Sequence, residues 1–244
     1  MRIVLIALLA IALWGKSIEA EYRVDYGVFG KVGEATGLLE QNATHYHIVT
    51  EGRTTGFAKV LSGGIVEKYE SRGKVVDGKL LPLEFIKSRT KRHKRSVKSF
   101  KFDYDKKIIT ITKRIYKRGK LVATTHDTLP FFATDDLLTL FFNVQKRLKS
   151  AKGTLHLKAV GGDRKSGAVD IVIPEGKELQ KIKKLLRTDG FYIIVIIHQK
   201  IFSSKNGVLY IVLDDTGIAK KAMLKDVIMF GDIVGKLVRK QVRE

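Results

Sequence analysis

Turn residues cut this chain into short alternating segments, and that punctuation constrains its fold more than any other feature. Glu21–Tyr26 sets Tyr22, Val24 and Tyr26 against Arg23 and Asp25, the period of two expected of a half-buried strand. Gly27 and Gly30 then mark a turn. Lys31–Glu40 and Ala43–Thr50 read as strands joined at Gln41-Asn42, and Gly56–Leu61 and Ile65–Ser71 as strands bracketed by Gly63-Gly64 and Gly73. Past the turn dipeptide Asp77-Gly78, Leu81–Lys91 and Ser96–Tyr104 alternate again. Asp105-Lys106 leads into Lys107–Lys117, and Arg118-Gly119 into Lys120–Thr125. Such spacing predicts a meander of antiparallel strands.

The pattern changes at Thr134-Asp135-Asp136, which reads as a helix start, with a capping hydroxyl and two carboxylates suited to the helix dipole. Leu137, Leu138, Leu140, Phe141, Phe142, Val144 and Leu148 then form a broad apolar face. A second helix is expected over Lys177–Leu186, between Pro174 and Gly190. Strands resume at Thr154–Ala159, Ala168–Ile173, Phe191–Lys200, Val208–Leu213 and Ile218–Phe230, with Asn206-Gly207 as the strongest hairpin dipeptide. The expected fold is mainly β: a curled antiparallel sheet forming a partial or complete β-barrel, with one or two helices packed on it.

Ahead of this lies a leader. Met1-Arg2 precedes the unbroken apolar run Ile3–Trp14, and Ala20 offers a small residue for cleavage. Twelve apolar residues fall short of the roughly twenty that span a bilayer, and no later stretch is longer. The expected organisation is a signal peptide over 1–20 and one β-rich domain over 21–244, exported to the periplasm. Absence of cysteine excludes disulfides, zinc–thiolate sites, iron–sulfur clusters and thiol nucleophiles. Loss of Arg2, Lys16 and Glu19 with the leader takes the net charge from +21 to +20. Outside the cytoplasm such a charge points away from nucleic acid and toward an anionic membrane or glycolipid surface.

The charge is uneven. Fifteen Lys and Arg lie between Lys87 and Lys120, opposed there by Asp103 and Asp105 alone. Lys87, Arg89, Lys91, Arg92, Lys94, Arg95, Lys113, Arg114, Lys117 and Arg118 are the candidates for binding an anionic surface from one outer sheet face; the bland alternative is a solvated face whose edge lysines discourage aggregation. A second candidate is an apolar pocket for a lipid or other amphiphilic ligand, lined by Phe57, Phe85, Phe131, Phe132, Leu137, Leu140, Phe141 and Phe142; its alternative is an ordinary packed core. His45 and His47 share a strand face but lack a third ligand, so no metal site is assigned, and no cofactor is expected. Neither G-x-S-x-G, H-E-x-x-H nor a P-loop is present, so no catalytic residue is assigned and no enzyme activity is expected. Asp214-Asp215 reads as a turn.

Three stretches carry a family resemblance. They are Tyr22-Arg23-Val24-Asp25-Tyr26-Gly27 with Gly30-Lys31-Val32-Gly33-Glu34-Ala35; Asp135-Asp136-Leu137-Leu138-Thr139-Leu140-Phe141-Phe142 after a Thr-x-Pro-x-Phe approach; and Leu213-Asp214-Asp215 with Ala222-Met223-Leu224 and Phe230-Gly231-Asp232-Ile233. Together they resemble DUF3108, a bacterial exported family of unknown function. The family's usual proline after the late Asp is missing, with Lys220-Lys221 nearby, and its Asp-x-Leu-Ser stands here as Asp136-Leu137-Leu138-Thr139. The resemblance implies a periplasmic location and a β-rich fold similar to lipoprotein-carrier half-barrels, and supplies no catalytic residues. Two functions are therefore expected of such a chain: a non-enzymatic carrier of an amphiphilic envelope ligand, or a basic-faced scaffold docking an anionic polymer, membrane or partner protein.

Overall fold

The structure, a computed structural model, describes residues 15–148, 150–162, 165–198, 207–227 and 231–243. The apolar run Ile3–Trp14, the hairpin residue Asn206, the end of Phe191–Lys200 and Phe230 lie outside them.

Among the described residues fourteen strands form one antiparallel sheet. The first half comprises β1 (Lys16–Tyr26), β2 (Lys31–Gln41), β3 (His45–Thr54), β4 (Ile65–Val76), β5 (Lys79–Lys91), β6 (Lys94–Asp103), β7 (Ile108–Lys117) and β8 (Lys120–Thr128). The second comprises β9 (Gly153–Lys158), β10 (Ala168–Ile173), β11 (Phe191–Ile196), β12 (Val208–Leu213), β13 (Ala219–Val227) and β14 (Gly231–Arg243). Each half is a meander, and the two join where β1 pairs with β14. Among the described residues the edges, β8 and β9, do not pair with each other, so no complete barrel is closed there.

Among the described residues four α-helices accompany it: α1 (Gly56–Ser62), α2 (Leu137–Asn143), α3 (Gln145–Leu148) and α4 (Gly176–Leu186). Gly56–Leu61, expected as a strand, is therefore helical. Gly63, at φ +75°, closes it in the left-handed conformation glycine adopts freely. No element was assigned beyond Phe230, where the structure places β14, whose cations Lys236, Arg239, Lys240 and Arg243 obscure its alternation.

The core is built in a cross-strand row. Direct pairing places Ile18, Leu39, Ile48, Ser71, Phe85, Phe100 and Ile111 side by side across β1 to β7. All are buried, and Ser71 alone in the row is polar. The α2 segment covers this row and reaches both halves of the sheet: Leu138 packs with the clusters of Ile48 and Phe85, and Phe141 with those of Ile48 and Ile193. On the other side of β11 to β13, Ile182 and Leu186 of α4 pack on Tyr192, Ile194, Val212 and Met223. Covering on both faces explains why β11 reads as the unbroken apolar run Phe-Tyr-Ile-Ile-Val-Ile.

Polar side chains fix α2 in place. Its N-cap is Asp136, two residues later than the expected Thr134, because the Asp136 carboxylate accepts from the Leu138 and Thr139 amides and Thr139 Oγ1 in turn accepts from the Asp136 amide. The other carboxylate oxygen accepts from Ser71 Oγ at 2.5 Å, and Ser71 is bonded to the Tyr46 hydroxyl at 2.9 Å. Asn143 clasps both backbone groups of Leu80 at 2.9 Å, and Gln145 donates to the Gly217 carbonyl.

Burial pushes Asp136 up to about 6, against the lowering effect of the bonds from Ser71, Thr139 and Leu138. Its folded-state pKa lies above the unfolded one, so its contribution is most favourable below the unfolded value and declines as pH rises through about 6. The urea midpoint of the wild-type chain should therefore rise relative to that of Asp136→Asn between about pH 7 and about pH 5. Asp136→Ala loses the cap and strands Ser71, at a cost of about 2–4 kcal/mol measurable by urea denaturation at neutral pH. A second test concerns the residues before Glu21. Lys16–Ala20 belong to β1, and Ile18 and Ala20 are core residues. A chain starting at Glu21 should thus be less stable than one starting at Gly15 by about 2 kcal/mol or more in the same assay.

Candidate functional site

Rimward of the apolar row the same strands change character. One two-residue step along the sheet brings Tyr69, Lys87, Lys98, Lys113 and Thr125 into register on β4 to β8. The next step brings Glu67, Arg89, Ser96, Ile115 and Ala123 together, and the last, at the hairpin ends, Ile65, Lys91, Lys94, Lys117 and Lys120. Directly paired residues share a sheet face, as do residues two apart on a strand. The lysine rows therefore stand on the face that carries Phe85, Phe100 and Ile111, beyond the part that α2 covers.

Two rows set like charges against each other. Lys87, Lys98 and Lys113 are opposed across three strands, and Lys91, Lys94, Lys117 and Lys120 across four. Strands lie about 4.8 Å apart, so these rows set lysine side chains of like charge beside one another. Aromatic rings relieve part of this: the Lys87 ammonium lies 5.1 Å from the Tyr69 ring centre, and that of Lys98 lies 5.0 Å from that of Phe100. Arg89 is paired with Glu67 at 3.3 Å. What results is a broad cationic surface.

The ten expected cations are thus divided. Lys87, Arg89, Lys91, Lys94, Lys113 and Lys117 share the face just described. Arg95 and Arg114 point to the opposite face, paired with Thr90 and Val97 respectively. Arg92 and Arg118 occupy hairpin turns at φ 52° and 49°. The rows add Lys98 and Lys120. The signal for them was present in the alternation Lys87, Arg89, Lys91, but the register that aligns neighbouring strands is not visible in one sequence.

The eight expected pocket residues are not gathered around one cavity. Phe85 is fully buried against Tyr69 and Phe100, and Phe132 packs edge-on to Tyr104. Phe131 lies against Gly167. Leu137 and Leu140 pack with Ala159 and Val169, Phe141 and Phe142 pack with the Ile48 cluster, and Phe57 is exposed on α1.

Other polar groups have local roles. His47 bonds to Glu70 at 3.0 Å while His45 sits at an Asn42-centred turn, so the two imidazoles face different partners. Asp170 on β10 binds His156 at 2.8 Å and His198 at 2.7 Å. Partial burial pushes this carboxyl up, but the two imidazole bonds outweigh it and hold Asp170 below its ordinary range. Among the described residues, no three His, Asp or Glu side chains are arranged to hold a metal ion. Asp214 forms the β12–β13 turn, accepting from Thr216 and Ile218 and from Lys240 at 2.6 Å. Among the described residues, no helix is long and apolar enough to cross a membrane.

No curated protein matches the chain. Among solved structures it is similar to the crystal structure of a beta-barrel-like protein of domain of unknown function DUF1849 from Brucella abortus. The identity is 13%, the match covers 95% of this chain and 99% of that one, and the TM-score is 0.46. A family model described as protein of unknown function DUF3108 matches residues 21–238. The chain belongs to the DUF3108 family.

Proposed function

We propose that this is an exported binding protein, without catalysis of its own, that docks an anionic surface of the bacterial cell envelope through the lysine rows of β5 to β8. The observation that carries this reading is the opposition of Lys87, Lys98 and Lys113 across adjacent strands. Like charges placed directly opposite destabilise a sheet. A multivalent anion that contacts several of these ammonium groups together offsets part of that repulsion. Periplasmic export is supported by the apolar run Ile3–Trp14 behind Met1-Arg2.

The carrier reading has less support. It needs the eight apolar residues to line one open space, whereas Phe85 and Leu140 are buried, Phe131, Phe132, Leu137, Phe141 and Phe142 are partly buried in different clusters, and Phe57 stands apart on α1.

A soluble polyanion tests the docking reading. Replacing Lys87, Lys98 and Lys113 with Gln should weaken binding of polyphosphate by about 1 kcal/mol per cation, roughly a hundredfold for three, and flatten its salt dependence. The same variant should remain folded, with a single cooperative urea transition. Arg95→Gln with Arg114→Gln, on the opposite face, should leave binding nearly unchanged. Titration calorimetry at low and high salt reads the first effect and urea denaturation the second. Unchanged polyphosphate affinity in the triple variant would overturn the proposal.

A further inference from the structure

The connection between β3 and β4 turns an apolar face to water. In α1, Phe57, Val60 and Leu61 stand at i, i+3 and i+4, the spacing that aligns side chains along one side of a helix. They are 67%, 75% and 67% exposed, and no residue of α1 is buried. A surface helix ordinarily turns such a stripe to the core. Phe29, 47% exposed in the β1–β2 turn, projects from the same end of the strands.

Around this stripe the rim is cationic and continuous. The Arg92 amide donates to the Gly63 carbonyl at 3.1 Å, and the Arg92 side chain lies against Gly63. The Arg118 amide donates to the His93 carbonyl at 2.8 Å. The β3–β4, β5–β6 and β7–β8 connections are thereby linked one to the next. They carry Lys91, Arg92, Lys94, Lys117, Arg118 and Lys120, and residues 55–64, 91–95 and 117–120 contain no carboxylate. Two such rims repel each other, which disfavours a second copy of the chain as the occupant. An apolar stripe bordered by cations matches the boundary between anionic headgroups and acyl chains.

We infer that this rim docks on an anionic lipid bilayer, with Phe57, Val60 and Leu61 entering the headgroup–acyl boundary and the flanking Lys and Arg contacting lipid phosphates. The inference rests on the docking reading above and deepens it by naming the surface as lipid.

Because the chain has no cysteine, one residue can be labelled at will. In the full chain, Val60→Cys carries an environment-sensitive fluorophore on α1, and Thr124→Cys carries the same dye on β8 as a control. Vesicles of phosphatidylcholine and phosphatidylglycerol in equal parts should shift the emission at position 60 to the blue and shield it from an aqueous quencher. Position 124 should not respond, and neither position should respond to phosphatidylcholine alone. Adding Phe57→Ser and Leu61→Ser to the position-60 chain should abolish the shift while leaving polyphosphate binding intact. No shift at position 60 with anionic vesicles, while polyphosphate still binds, overturns the bilayer inference and leaves the docking reading standing. Loss of both overturns both. A shift that needs no vesicles and grows with protein concentration assigns the rim to a second copy and also overturns the inference.

Discussion

A buried carboxylate fastened to a buried hydroxyl holds the two layers of this protein in register. Ser71 interrupts an otherwise apolar row across seven strands, and Asp136 meets it from the start of α2. Both groups are shielded from water, so each depends on the other and on the amides of Leu138 and Thr139. Hydrophobic contact alone would let the helix slide along a flat apolar row. One polar pair at a defined place fixes its position, and Asn143 and Gln145 extend that hold to β5 and to the β12–β13 turn. With α2 so placed, Leu138 and Phe141 touch strands from both halves of the sheet, which is how an open sheet of this width acquires a common interior.

The same placement creates the cationic surface. The α2 segment covers the apolar row and leaves the rimward part of β5 to β8 exposed. β8 is exposed along its whole length, whereas β5 and β6 pass from buried to half-buried within one two-residue step, from Phe85 to Lys87 and from Phe100 to Lys98, before reaching the exposed hairpin ends. Aromatic rings at that boundary serve both regions: the Phe100 ring packs in the core and lies beneath the Lys98 ammonium.

Much of the strand layout was legible in the sequence because turn chemistry and alternation are local. β10 and β12 match their expected bounds, and α4 matches within one residue. Local signals misled at Gly56–Leu61, where too few residues were available to distinguish a period of two from 3.6. Their i, i+3, i+4 apolar spacing and the following Gly63-Gly64 were the clue. β14 was missed because its exposed face is crowded with cations. The site was legible in composition but not in arrangement. Fifteen cations in a run are visible on inspection, whereas their division between two faces depends on strand register, which partners far apart in the chain determine. For the aromatic residues the sequence could not separate a lined pocket from a packed core, because both need the same side chains.

The adjacency of β1 and β14 has a consequence for how the chain folds. Every other ladder joins strands that are consecutive in sequence, so each meander can assemble locally and early. The ladder pairing Ser17 with Arg243 brings together opposite ends of the chain and carries the largest loop-closure entropy in the sheet. It cannot form until the final strand has emerged. While the chain emerges from its amino end, β1 is therefore satisfied on one side only until β14 is available. The seam between first and last strands is the natural late step of folding and the first place to open under load.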